Sequence, residues 1–294
     1  MKKILCSILI CALALSIVAC SPETTETTPS DAPAESIAPT VSVSPTEAPI
    51  EMPTDVPTAA PTETPVVTSA PVGSETVEPD ILKLVINSDG TVSNGVADGP
   101  SVESYGKNKT VSVDPATGLN VVTFPSVDSV YDVQIGDYYG DMGTAFSLEV
   151  YFKLDAIPSS GYQGIVENCE AGGLGLYVFD DASIKFYLSL DGTYAIVTAP
   201  EKAQIGQWYH CVCVWDGDLV QIYMDGQLAD EYTSNFAYVT FPGVDTAWYL
   251  SIAGCCSAGN HGNGGICGSV GICNLYTTPL TADQIAALYN NLMQ

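Results

Sequence analysis

Arginine is missing from this chain altogether. The 294 residues hold 8 lysines against 34 acidic residues, for a formal net charge of −26. A nucleic-acid-binding surface needs a basic footprint, so that class is excluded. The absence of guanidinium also removes the bidentate clamp favoured for phosphates. Histidine occurs only at His210 and His261, so histidine-based catalysis has few places to sit. No Gly-x-Ser-x-Gly elbow, His-Glu-x-x-His pair or phosphate-binding loop occurs either. Charged residues make up 14% of the chain and hydrophobic ones 46%, which suits a chain with a sizeable core. The length fits one large β-domain or two smaller domains.

What is present falls into three parts. Residues 1–20 read MKKILCSILICALALSIVAC, with Lys2 and Lys3 ahead of an apolar run from Ile4 to Ala19. That is the layout of an export signal, and the run is short for a membrane-spanning helix of about 20 residues. The ending Ile17-Val18-Ala19-Cys20 resembles a bacterial lipobox. The resemblance implies a lipoprotein signal peptide over 1–19, cleavage before Cys20 and acylation of its sulfur. Acyl chains contribute about 0.8 kcal/mol per buried methylene, so a multiply acylated end stays in a bilayer without a helix. Ordinary secretion with cleavage near Ala19 and an uncleaved anchor are the alternatives.

Residues 21–80 hold twelve prolines, eleven acidic residues and no basic one, with serine and threonine filling most of the rest. Too little apolar side chain is present to offset the entropy of ordering. Proline at this density biases the chain to extended polyproline II, and like charges keep it open. The expectation is a lipid-anchored disordered stalk over 20–80. It would span roughly 40 Å as a coil and about 190 Å fully extended.

Residues 81–294 carry 23 acidic residues and 6 lysines and have globular composition. Strand-like runs recur at Leu82–Ile86, Leu119–Phe124, Phe146–Phe152, Leu174–Phe179, Ile184–Leu188, Trp208–Trp215, Leu219–Met224, Trp248–Ile252 and Val270–Tyr276. Asp-Gly pairs punctuate them, among them Asp191-Gly192, Asp216-Gly217 and Asp225-Gly226. Asp-Gly between strand-like runs is a favoured two-residue hairpin signal, because both positions accept positive φ. Short strands without intervening helices indicate an antiparallel sandwich rather than βαβ units. One helix is expected at the end. Thr281 and Gln284 fit a capping box, and Ile285, Leu288, Tyr289 and Leu292 follow at helical spacing. It is expected to close one edge of the sandwich.

Four pieces occur in one order: Phe146–Lys153, Gly206–Gly217, Val220–Leu228, and Gly268–Tyr276 followed by Pro279-Leu280-Thr281. Together they resemble the laminin-G-like, concanavalin A-like lectin/glucanase superfamily, over about residues 81–294. The resemblance implies an all-β, antiparallel two-sheet jelly-roll sandwich with a short C-terminal helix. Glucanases on this fold carry Glu-x-Asp-x-x-Glu on one strand, which places nucleophile and acid/base about 5 Å apart. No such run exists here, and Glu149-Val150-Tyr151 and Glu167-Asn168-Cys169-Glu170 both miss it. The expectation is therefore a non-catalytic binding module on the extracellular face of a bacterial membrane. Its partner would be a glycan or a surface protein; a cryptic glycosidase is the remaining rival.

Laminin-G-like relatives often bind one Ca²⁺ beside an Ile-Asp-Glu-Val-Arg-Ile-Tyr strand. The matching stretch here is Val270–Tyr276, with Gly271 and Ile272 in place of both acids. Calcium is the cofactor this resemblance suggests, and Asp180 and Asp181 are its candidate ligands. Seven cysteines follow Cys20: Cys169, Cys211, Cys213, Cys255, Cys256, Cys267 and Cys273. The odd number leaves at least one unpaired. Cys211 and Cys213 sit at inward strand positions and serve as small hydrophobes. Around Cys255–Cys267 three readings stay open: free thiols, a Cys256–Cys267 disulfide, or a metal site with Cys255, Cys256, His261 and Cys267. Sugar rings stack their apolar faces on aromatic side chains, and Tyr138, Tyr139, Tyr187, Tyr194 and Trp248 are the candidate ligand-binding residues.

Overall fold

The computed structural model describes residues 77–168, 172–191, 193–236, 238–240, 249–257 and 260–294, with the side chains of 255–263 left aside. The expected signal peptide, Cys20 and the stalk up to residue 76 lie outside the described residues.

In chain order the strands are β1 (Leu82–Ile86), β2 (Val92–Asn94), β3 (Val102–Tyr105), β4 (Thr110–Val113), β5 (Asn120–Phe124) and β6 (Val130–Val133). A 3-10 turn, Gly136–Tyr138, runs into the helical turn α1 (Tyr139–Met142). Then come β7 (Phe146–Leu154), β8 (Tyr162–Glu167), β9 (Leu174–Phe179), β10 (Ile184–Leu190), β11 (Thr193–Thr198) and β12 (Trp208–Trp215). The chain ends with β13 (Leu219–Met224), β14 (Gln227–Thr233), β15 (Leu250–Ile252), β16 (Cys255–Ser257), β17 (Asn260–Asn263), β18 (Gly268–Tyr276) and the helix α2 (Ala282–Leu292).

Two large sheets form. One has nine strands, ordered β14-β13-β12-β7-β18-β1-β2, with β5 also on β18 and β4 on β5. The other has seven, ordered β11-β10-β9-β8-β15-β6-β3. Neighbouring strands pair antiparallel throughout both. The alternation read from the sequence decides which side chains face inward. Phe146, Leu148, Val150, Phe152 and Leu154 of β7 meet Leu174, Leu176, Val178, Phe186 and Leu188 of β9 and β10 in one core. Tyr209, Cys211, Cys213 and Trp215 share the inward face of β12, and Val220 and Ile222 of β13 join them. Each large side chain so buried contributes roughly 1.5–3 kcal/mol.

The hairpin turns follow their chemistry. Asp225 and Gly226 have φ of 49° and 79°, and Met224 pairs with Gln227 across them. Both central residues of a primed two-residue turn need positive φ, which Asp-Gly supplies at low strain.

Helix α2 carries the expected capping box between Thr281 and Gln284. Its place differs from the expectation. Ile285, with Leu280, packs on Val212, Val214, Tyr223 and Tyr276, a second apolar cluster on the outer side of the nine-stranded sheet. The helix covers a face rather than an edge, because β12 is apolar on both sides and its outer side needs a cover. At the edge, β11 and β14 are stitched across the sheets: the Thr198 N–H donates to Asp230 Oδ2 at 2.8 Å. No described helix is long and apolar enough to cross a membrane.

Candidate binding cleft on the seven-stranded sheet

The inward residues of β9, β10 and β11 fill the core, so the intervening residues form the outer face of the seven-stranded sheet. They are aromatic to an unusual degree. Tyr177 and Phe179 of β9, Tyr187 of β10 and Tyr194 of β11 stand beside Tyr162 of β8 and line a cleft of about 210 Å³. Strand register brings them together: Tyr162 lies opposite Phe179, and Tyr187 opposite Gly175.

The rings make one connected surface. Tyr162 meets Tyr177 edge-on at 5.0 Å, Tyr177 meets Tyr187 edge-on at 5.5 Å, and Tyr187 meets Tyr194 at 6.1 Å. Phe179 and Tyr187 lie nearly parallel at 6.0 Å. Tyr162 is 55% and Tyr194 44% exposed, which makes them the walls, whereas Tyr177 is buried to 6% and forms the floor. Gly175 creates that floor. A Cβ there would stand 2.3 Å from the Tyr177 ring and hydroxyl, so only glycine lets the ring lie down along the sheet. Lys185 of β10 shares this face and holds its Nζ 4.4 Å over the Phe179 ring.

The same face turns polar further along. Ser251 of β15 lies between Asp132 of β6 and Glu167 of β8, and its hydroxyl donates to Asp132 Oδ1 at 2.5 Å. The two carboxylates therefore flank one strand. Their exposures of 1% and 2% leave no approach for a sugar, which counts against a glycosidase pair here.

A second buried ionisable cluster lies on the outer side of the nine-stranded sheet. Glu149 of β7 accepts from His210 Nε2 at 3.0 Å, from Asn274 Nδ2 at 2.8 Å and from the Tyr276 hydroxyl at 2.6 Å. Burial alone would raise the Glu149 pKa, but the donors from His210, Tyr276 and Asn274 outweigh it and hold it below the usual carboxyl value. Burial, the Glu149 charge and the hydrogen bond together push the Tyr276 hydroxyl far up. The His210 ring packs 5.9 Å from Tyr289 of α2, and its Nδ1 has no protein partner. With both carboxylate oxygens already engaged by donors from neighbouring strands, Glu149 is a structural tie between strands.

A family model described as concanavalin A-like lectin/glucanases superfamily matches residues 128–286, more than half of the chain. The chain belongs to the concanavalin A-like lectin/glucanases superfamily. Its jelly-roll sandwich also resembles solved structures. The receptor binding domain of botulinum neurotoxin C/D mosaic serotype superposes with a TM-score of 0.55 at 12% identity, over 71% of this chain and 50% of that one. The binding domain of botulinum neurotoxin DC, solved in complex with rat synaptotagmin II, gives 0.54 at 13% identity, over 72% and 51%. The binding domain of Paraclostridial Mosquitocidal Protein 1 gives 0.57 at 12%, over 72% and 52%. These likenesses show the fold alone, and the chain spans about half the length of the structures it matches. No curated protein matches the sequence.

As a superfamily member, the chain brings together only some of the residues singled out from sequence. Tyr187 and Tyr194 are in the cleft. Tyr138 sits elsewhere, its hydroxyl donating to the Asp98 carbonyl at 2.6 Å, and Tyr139 is buried with its hydroxyl hydrogen-bonded to Asn168. Tyr139 is buried and Tyr138 half-buried, both at the turn before β7. Trp248 lies outside the described residues. Tyr177 and Phe179 were not singled out, although the pattern Gly175-x-Tyr177-x-Phe179 places all three on the non-core side of β9.

The calcium candidates are engaged by the protein. Asp180 Oδ2 accepts from the Gly161 N–H at 3.0 Å. Asp181 accepts from Ser183 and pairs with Lys202 at 2.6 Å, contacts that hold its carboxyl well below the usual range. Asp181 thus already has a cationic partner in Lys202, in an exposed pair. Among the described residues no group of three or more His, Cys, Asp or Glu could hold a metal. Cys211, Cys213, Cys267 and Cys273 are free thiols. Around Cys255–Cys267, where three readings stood open, the Cys267 sulfur is free and faces the Pro125 carbonyl at 3.9 Å. The side chains of Cys255, Cys256 and His261 lie outside the described residues. Burial pushes the Cys213 and Cys273 thiols far up, which suits inert packing groups.

Proposed function

We propose that this chain is a cell-surface lipoprotein, anchored through Cys20 and carried on a Pro/Thr-rich stalk, whose sandwich domain binds glycans without catalysis. The observation that carries the reading is the aromatic cleft. Five ring-bearing side chains from four adjacent strands are held on a solvent-facing sheet surface, where a soluble protein gains nothing from exposing them. Pyranose rings present apolar faces of matching size, and tyrosine offers both a stacking face and a polar tip.

The test is isothermal titration against a panel of oligosaccharides, using the full chain in detergent. Tyr187→Ala and Tyr194→Ala should each weaken binding about 10-fold, the loss of roughly 1–1.5 kcal/mol of ring contact. Glycan binding unaffected by both substitutions would remove the cleft from consideration. Protein adhesion is the second reading. Exposed apolar side chains support it: Ile196 of β11 and Leu228 and Tyr232 of β14, each 41–48% exposed. Retention on host or neighbouring proteins, lost on Ile196→Asp and Leu228→Asp but not on Tyr187→Ala, would favour it.

A further inference from the structure

Lysine is scarce in this domain, and most of it is committed. Lys83 pairs with Glu78 at 2.7 Å, Lys153 with Asp155 at 3.2 Å and Lys202 with Asp181 at 2.6 Å. Lys109 gives its ammonium to the carbonyls of Tyr105 and Val130. Among the described residues, only Lys107 and Lys185 have neither an ion pair nor a hydrogen bond to the ammonium. Lys107 stands out in solvent. Lys185 is half-buried over Phe179, at the side of the aromatic cleft.

Its isolation has a structural cause. The two acids of the preceding turn are both taken, Asp180 by the Gly161 N–H and Asp181 by Lys202 and Ser183. A ring face holds an ammonium in position without neutralising it. The result is a full positive charge, fixed beside stacking surfaces, in a domain with 23 acidic residues and 6 lysines.

We propose that the cleft takes an acidic saccharide, whose ring stacks on the aromatic surface while its singly charged group, a carboxylate or a sulfate ester, sits on Lys185 Nζ. This rests on the glycan reading above and names the sugar. Lysine is a point charge without the planar fork of arginine, so it accepts either anion. The surrounding negative field disfavours polyanions and fits one charge per bound ring.

The experiment titrates the full chain, in detergent at 0.15 M salt, with three trisaccharides of the same ring type: neutral, uronate and sulfate ester. At least one acidic sugar should bind about 10-fold tighter than the neutral one, the lower end of a charge-assisted hydrogen bond. Which acidic sugar wins identifies the source of the charge. Lys185→Met and Lys185→Gln should bring acidic and neutral affinities together. Lys185→Arg should keep the preference, and Lys107→Met should change nothing. Native near-ultraviolet circular dichroism checks each variant, and the wild-type comparison stands without them. A neutral sugar that binds as well as both acidic ones, or a preference that survives Lys185→Met, overturns the proposal and leaves the glycan reading intact. Binding of none of the three sugars overturns both.

Discussion

At the scale of single residues, Glu149 shows how a buried charge is tolerated. Three donors from two neighbouring strands surround it, and each hydrogen bond favours the ionised form. Its folded pKa is depressed, so its contribution is present above the ordinary carboxyl value of about 4.5 and is lost as pH falls through the lower folded value. Glu149→Gln breaks a buried pair and should cost about 3–5 kcal/mol at pH 7. The gap from wild type should begin to shrink as pH falls below about 4.5, where the unfolded-state carboxyl protonates, and close further as pH falls through the lower folded value. Denaturant midpoints measured from pH 7 to pH 3 check this; a gap that stays constant would falsify the assignment. Little of this network is visible in sequence. Glu149 and His210 are 61 residues apart, and only the antiparallel register of β7 and β12 makes them neighbours.

Among the elements, α2 is the one whose local code and final position separate. The capping box and the Ile285 stripe lie within one short run of sequence from Thr281 to Leu292, so the helix is legible. Its docking site is not, because that depends on Val212, Val214, Tyr223 and Tyr276 meeting from three strands. Thr281→Ala should lower stability by about 1 kcal/mol, a shift of roughly 2–4 °C in a domain of this size. Calorimetry reads it directly, and an unchanged Tm would mean that the helix end is frayed. The strands divide in the same way. β9, β12 and β13 announce themselves by apolar alternation, with the bounds expected. β14 reads Gln-Leu-Ala-Asp-Glu-Tyr-Thr, an edge strand with no buried side, and could be found only through its partner β13. The cleft has the same limit. Tyr187 and Tyr194 could be picked out as exposed aromatics, but Tyr177 and Phe179 required knowledge of which face of β9 is core.

For the whole molecule, the proposed arrangement is a compact sandwich held away from a membrane. If Cys20 carries the anchor, Cys20→Ser should release the chain into the medium, and labelled palmitate should be incorporated by the wild type alone. Immunoblots of cell and medium fractions decide it; a serine variant that stays with the membrane argues against acylation at that residue.

Display of many copies side by side raises the local concentration of every exposed strand edge. The bond from Thr198 N–H to Asp230 takes one main-chain donor of β11 out of circulation and sets a carboxylate at the seam. Neighbouring copies crowded on one surface would meet there as like charges, not as open ladders, and so could stand densely without zipping into fibres.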